Sequence, residues 1–359
     1  MKKYLIFLAS AAMLLATSCA KEEVNTTGET ELITVQLNPE TKTALGADGT
    51  TTTWDADDKV SVTVGGEVVG TLSLVEGSTF SGEITAGLSG DATLNYPADV
   101  TAIPEPQVAV SGSFADDAAL LEGTTTVEDL RAGNSVELKN KTALLKFTVA
   151  QAGNVTFEVG TAKYTVTGCK TGATYYACVA PASNVAFTAR IGGYLSRKAS
   201  SNVTFTANKI ANLETLPAPE KLGWGIVGQH QGWDITNPTP MYKVDDDVYA
   251  VLNIKLEDNG FKFAKNGLKD WNTASTTTFG AWTKSDGKDY FDFMTEMAEG
   301  AWYGNPLYSD KASNDQQNIG VSDFSKNYDV YIRLYGSGDW GIGVKYTVVS
   351  TGTKVTYPN

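Results

Sequence analysis

Trp233 and Trp271, with Lys262 lying between them in the chain, are the side chains best suited to a specific chemistry. A pyranose ring has an apolar C–H face and a rim of hydroxyls. A site for it needs flat aromatic surface beside hydrogen-bonding groups. Trp233 and Trp271 both lie in turn-rich sequence, where loops project. Lys262 alternates with Phe261 and Phe263, which turns it away from the core they would fill and predicts that it is exposed. Covering half of each indole, roughly 100 Å², would supply about 2.5 kcal/mol at 25 cal/mol per Å². Hydrogen bonds add about 1 kcal/mol each and association costs several, which leaves affinities on the order of micromolar to millimolar. A Trp in a β-sandwich is more often core than platform, and Trp224 and Trp340, on strand patterns, read as core. Trp282 and the run Trp302-Tyr303-Gly304-Asn305 offer a second platform.

Catalysis has less to work with. His230, the one histidine, sits in Gly228-Gln229-His230-Gln231-Gly232, a polar loop rather than a triad or a metal cage. No Gly-x-Ser-x-Gly elbow, phosphate-binding loop or Cys/His metal spacing occurs. Asp245-Asp246-Asp247 has the charge to attract calcium but reads as an acidic hairpin turn. Glycoside hydrolysis depends on the separation of two carboxylates, and 41 acidic residues always supply a plausible pair. The expectation is a binding protein, not an enzyme, with no metal and no cofactor. A formal charge of −13 repels nucleic acid and anionic lipid and suits neutral partners. Cys169 and Cys178 flank Thr171-Gly172-Ala173, which reads as a hairpin turn; a disulfide and two buried thiols are equal alternatives.

These groups must be positioned by β-structure. The chain opens with Lys2 and Lys3, an apolar run from Tyr4 to Ala16, and Ala16-Thr17-Ser18-Cys19. That is a charged leader, a stretch too short to span a bilayer as a mature helix, and small residues before a cysteine. It resembles a bacterial lipoprotein signal over residues 1–18, with Cys19 lipidated and residues 19–30 a polar, acidic tether. Removing the leader leaves 26 basic residues against 41 acidic ones. The acidic run Glu22-Glu23 behind Cys19 resembles the surface-export signal of Bacteroidetes lipoproteins and predicts an outer-membrane, lipid-anchored, surface-exposed protein. From Leu32 onward the pattern is period-two alternation, as in Val60, Val62, Val64 and in Ala143, Leu145, Phe147, Val149. Prolines 217 and 219 mark a stiff linker, and six of the seven Trp residues lie beyond it. Strand patterns continue there, interrupted only by Tyr290, Phe293, Met294 and Met297, whose spacing predicts a short helix between Asp289 and Gly300. The expected fold is all-β, built of tandem immunoglobulin-like β-sandwich domains.

Two resemblances refine this. Glu40-Thr41-Lys42-Thr43, Trp54-Asp55-Ala56-Asp57-Asp58-Lys59-Val60, Tyr96-Pro97, Ile103-Pro104 with Gln107, Lys141 to Phe147 and Ala207-Asn208-Lys209-Ile210 resemble fimbrillin-like (Mfa-like) proteins over residues 31–216. Asp57 stands where that family usually has Gly. The resemblance implies two stacked sandwiches with a boundary near 135, either a pilus subunit or a lipoprotein stalk. Trp54 then reads as core and the Asp run as a solvated turn. Pilus subunits of that family lose their first strand at an arginine; the first arginine here is Arg131, far beyond any first strand, which favours a stalk.

Residues 221–359 carry Trp224-Gly225-Ile226-Val227-Gly228, Gly232-Trp233-Asp234, Met241, Phe261-Lys262-Phe263, Asn266-Gly267, Trp271 and Asn318-Ile319-Gly320-Val321. This set resembles the starch-binding domains of SusE and SusF lipoproteins. The resemblance implies a site in which Trp233 and Trp271 flank a sugar chain, Lys262 donates to hydroxyls and Asn318 completes the grip. The segment 272–317 departs from it, being 46 residues where a short turn is usual. It predicts either an extra layer, with Phe291 and Phe293 packed down, or a rebuilt binding face using Trp282, Trp302 and Tyr303. The functional expectation is capture of polysaccharide, α-glucan favoured, for a transporter or hydrolase of an uptake system. The alternative is a fimbrial or adhesin component that binds protein or a host surface.

Overall fold

The computed structural model describes residues 28–39, 54–115, 118–257, 260–271, 278–279, 281–282, 303–304, 316–319, 321, 323–338, 341–355 and 357. Cys19, the region expected to form a helix at 289–300, Phe291, Phe293, Trp302 and Trp340 lie outside these residues. The fold is all-β. Strands β1 (Thr30–Pro39), β2 (Lys59–Val64), β3 (Glu67–Glu76), β4 (Thr79–Thr85) and β5 (Asp91–Tyr96) come first. A short strand β6 (Gln107–Val108) leaves for the next unit before β7 (Leu121–Thr126), helix α1 (Val127–Arg131) and β8 (Val136–Asn140) return. The ring β1-β4-β3-β2-β5-β7-β8 closes, because β1 pairs antiparallel with β4 along Thr30–Gln36 and parallel with β8 along Leu37–Pro39. Closure removes free strand edges. Alternation puts Ile33, Val35, Leu37, Val60, Val62, Phe80 and Leu94 inside.

Trp54 belongs to this core, edge-on to Phe80 at 4.8 Å and Tyr96 at 5.3 Å. The Asp run behind it is not all solvated turn. Asp58 is buried and accepts hydrogen bonds from the Tyr96 hydroxyl (2.8 Å) and the Asp55 amide (2.7 Å). Arg131, at the end of α1, makes a two-pronged ion pair with Glu31 on β1 and donates to the Leu88 carbonyl. It therefore holds the first strand in the ring.

The second unit contains β9 (Ala143–Val149), β10 (Gly153–Val159), β11 (Ala162–Cys169), β12 (Tyr175–Val179), β13 (Ala182–Val185), β14 (Phe187–Ile191), β15 (Tyr194–Lys198), β16 (Val203–Phe205) and β17 (Ile210–Leu216). Its sheets are β15-β14-β10-β11-β6 and β12-β9-β17, with a β13-β16 pair beside them. Phe147, Phe157, Phe187 and Phe205 fill the space between. The turn after Cys169 is not a hairpin: β11 and β12 belong to different sheets, so the chain crosses the core there. Cys169 joins the main core with Ala177 and Val179, while Cys178, one residue out of step, points to the opposite face beside Phe114 and Tyr176. The two sulfurs are thus separate buried thiols, and the disulfide alternative is set aside. Burial pushes the Cys169 thiol up to about 11.

Beyond Leu216 come β18 (Lys221–Gly228), β19 (Thr239–Asp245), β20 (Val248–Lys255), β21 (Phe261–Lys265), β22 (Thr278–Phe279), β23 (Ala281–Trp282), β24 (Tyr303–Gly304), β25 (Gln316–Gln317), β26 (Asn327–Gly338) and β27 (Gly341–Ser350). One sheet, β22-β21-β18-β19-β20-β26-β27-β24, curls over its own core, so that Phe263 on β21 meets Tyr346 on β27 at 5.8 Å. The segment 272–317 contributes β22 beside β21 and β24 beside β27, extending the sheet at both ends. Among the described residues no helix is long and apolar enough to cross a membrane.

Candidate functional site

The outer face of β18 and β21 carries the candidate site. Register pairs Val227 with Lys262 and Gly225 with Ala264. Phe261 and Phe263 point into the core, and Lys262 and Ala264 point the other way. That outer face is itself covered. Val227, Ile235 and Ala264 are buried there, with Trp233, Leu268 and Trp271 packed over them. Lys262 is 6% exposed, which corrects the expectation that it stands open to solvent. Alternation on the strand gave its direction correctly; the cover comes from neighbouring chain that alternation does not report. Burial lowers its pKa.

A loop after β18 delivers Trp233. Gln229–Gln231 form one 3₁₀ turn, Gly232 ends it at φ 71°, and Trp233 follows in the same left-handed region at φ 58°. A bulky residue there is an outlier, and outliers of this kind gather at binding sites. The polar neighbours hold the shape. Gln229 accepts from Trp233 Nε1 at 3.2 Å, Gln231 donates to the Asp234 carbonyl at 2.8 Å and accepts from its amide at 2.6 Å, and the Asp234 carboxylate caps Thr236. Those bonds from Thr236 lower the Asp234 pKa. Trp271 donates from Nε1 to the Trp233 carbonyl at 3.3 Å. The two half-buried indoles lie 6.1 Å apart at 54°. At that separation they touch each other, so they do not clamp a ring between them. They make one bent aromatic surface with both N–H groups spent internally.

Asn318 reaches the same face from another segment. Ile319 exchanges two 2.8 Å backbone bonds with Phe261 and is buried with it, so the alternation sets Asn318 opposite Lys262. The structure thus brings Trp233, Lys262, Trp271 and Asn318 to one face. Tyr303 lies on β24, at the other end of the strand order, whereas Trp282 on β23 pairs with Gln316, two residues before Asn318. His230 is a neighbour that sequence reading placed in an exposed loop. It is half-buried; its Nε2 is 3.0 Å from Thr239 Oγ1, and its Nδ1 is buried with no hydrogen-bond partner. Burial lowers its pKa. The glutamines on either side were the legible signal, since they shape the loop.

The acidic hairpin has a structural task. Asp245 and Asp246 each receive Lys198 of the second unit at 2.8 Å. No group of three or more His, Cys, Asp or Glu side chains able to hold a metal occurs among the described residues.

The fold and this face define an all-β protein with an aromatic surface beside polar groups. No protein family model and no curated protein matches the chain. Solved structures similar to it include a protein of Bacteroides ovatus provisionally assigned to cell adhesion, at 15% identity and a TM-score of 0.34, covering 52% of this chain and 92% of that one. A fimbrial protein of the same organism has 13% identity and a TM-score of 0.28, covering 54% of this chain and 52% of its own. A further protein provisionally assigned to cell adhesion, from Bacteroides eggerthii, has 13% identity and a TM-score of 0.24, covering 53% and 87%.

Proposed function

We propose that this chain is a cell-surface adhesin whose C-terminal unit binds glycan, with the two preceding units as its stalk and Cys19 as its lipid anchor. The observation that carries the reading is the bent Trp233–Trp271 surface with Asn318 on the same face and Lys262 buried beneath it. Two planes inclined at 54° suit a curved chain better than a flat one, so a linear α-glucan is the first ligand to test. Adhesion is favoured over delivery to an uptake complex because the binding unit is fixed to the unit before it by ion pairs and buried rings, an arrangement suited to bearing load. Calorimetric titration of the full chain with maltoheptaose should give binding in the micromolar to millimolar range that Trp271→Ala abolishes. Unchanged binding in that variant, or none in the parent for any α-glucan, removes the platform from the reading. Cys19→Ala should release the protein from cells in soluble form; retention on the membrane would remove the anchor.

A further inference from the structure

We propose that the first barrel holds a second ligand site, a groove for a neutral disaccharide-sized glycan on the outer face of β2, β5 and β7. Ser61 stands opposite Asn95, and Asn95 opposite Glu122, so the three form one row across adjacent strands. The chain turning out of β5, through Ala98, Val100 and Thr101, walls one side of a cavity of about 390 Å³ over this row. The wall is tied down, Ala98 donating to the Lys59 carbonyl at 3.0 Å and Val100 to the Pro97 carbonyl at 3.2 Å. That volume is at the small end of ligand pockets, which run roughly 300–1,000 Å³.

The lining specifies the ligand class. Ser61 is only 4% exposed, yet neither its hydroxyl nor the Asn95 amide is hydrogen-bonded to any described residue. Both groups open to the groove, so they keep a donor and acceptors for a polar occupant. Glu122 and Lys141 pair at 2.9 Å, which leaves the groove without net charge and favours a neutral molecule. Val68, 66% exposed, supplies an aliphatic wall for a C–H face. A peptide would dock by adding a strand, and the closed ring offers no edge at this place. Scattered single donors and acceptors suit the scattered hydroxyls of a sugar.

The test uses the full chain with Trp233→Gly and Trp271→Ala, which silences the aromatic surface and keeps the outcome independent of the proposed adhesin site. Saturation-transfer NMR with maltose, cellobiose, lactose and N-acetyllactosamine at millimolar concentration should show transfer to at least one of them. Adding Asn95→Ala should weaken it about five-fold, the loss of one hydrogen bond. Adding Val68→Trp, a change at an exposed wall that leaves the core alone, should abolish it. Should Asn95→Ala melt the barrel, Val68→Trp decides alone. No transfer to any of the four sugars, or transfer undiminished by Val68→Trp, overturns the groove.

Discussion

Trp233 occupies a backbone region that costs a side-chain-bearing residue about 1–2 kcal/mol and glycine almost nothing. Trp233→Gly therefore separates platform from core more cleanly than alanine, which would keep the strain and lose the ring. The expected result is a loss of roughly 1–3 kcal/mol in glycan binding, with a change in melting stability of under about 1 kcal/mol. A fall in stability of about 3–5 kcal/mol in calorimetry would instead mark the indole as core. His230 gives the same unit a pH response. Burial lowers its folded pKa below the ordinary value near 6.5, so the unfolded chain binds the extra proton first as pH falls. Stability should decline as pH drops from 6.5 toward that lower folded value and level off beneath it. His230→Gln should flatten the decline in denaturant titrations at pH 7 and pH 5; an unchanged slope would mean that another group titrates.

At the scale of strands, alternation made the cores legible. Ile33, Val35 and Leu37, or Leu145, Phe147 and Val149, show their faces with no knowledge of partners. What alternation could not show is which sheet a strand joins. The turn at Thr171-Gly172-Ala173 looks local, yet it carries the chain from one sheet to the other, because β12 pairs with β9 rather than with β11. The segment between β5 and β7 was equally hidden, since its bonds reach residues some 60 to 70 positions away. Glu105 accepts from the Thr165 amide at 2.7 Å, and the buried Gln107 amide both donates to the Cys178 carbonyl (2.7 Å) and accepts from its N–H (2.9 Å). Gln107→Ala would leave two buried backbone groups unpaired and should cost about 2–3 kcal/mol in urea unfolding. Gln107→Glu sets a buried carboxylate oxygen against the Cys178 carbonyl, so it should cost at least as much at neutral pH and less where the carboxyl is protonated and can donate. Cys169, held up to about 11, should resist iodoacetamide at pH 8 in the native protein and react on unfolding.

In the whole molecule the prolines at 217 and 219 suggested a spacer, but the units on either side of them are in direct contact. Arg190 is paired with Glu158 on its own sheet at 3.2 Å and donates to the Val244 carbonyl across the joint at 2.6 Å. Tyr194 lies 5.0 Å from Tyr242 with the rings tilted by 51°, accepts from the Leu252 amide at 3.1 Å and packs against the buried cluster of Val244, Val248, Ala250, Tyr331 and Val349. Lys198 adds its two ion pairs, and Arg197 reaches back to the Leu213 and Thr215 carbonyls beside the linker. None of this could be read in the sequence, because the residues lie on separate strands and each looks like an ordinary surface position. The contributions should rank by burial. Lys198→Ala removes an exposed pair and should cost under about 1 kcal/mol, lessened further by salt. Tyr194→Ala strips an aromatic ring from a dry cluster and should cost about 2–3 kcal/mol. Because that ring belongs to one unit and its cluster to the other, the loss should also uncouple them. Differential scanning calorimetry of the parent should show the second and C-terminal units melting together, and Arg190→Ala with Tyr194→Ala should split that transition in two. The isolated fragment 221–359 should then melt where the released C-terminal unit does. A fragment as stable as its parent unit within the intact chain would mean that the joint contributes nothing, and that the prolines hold two units which merely touch.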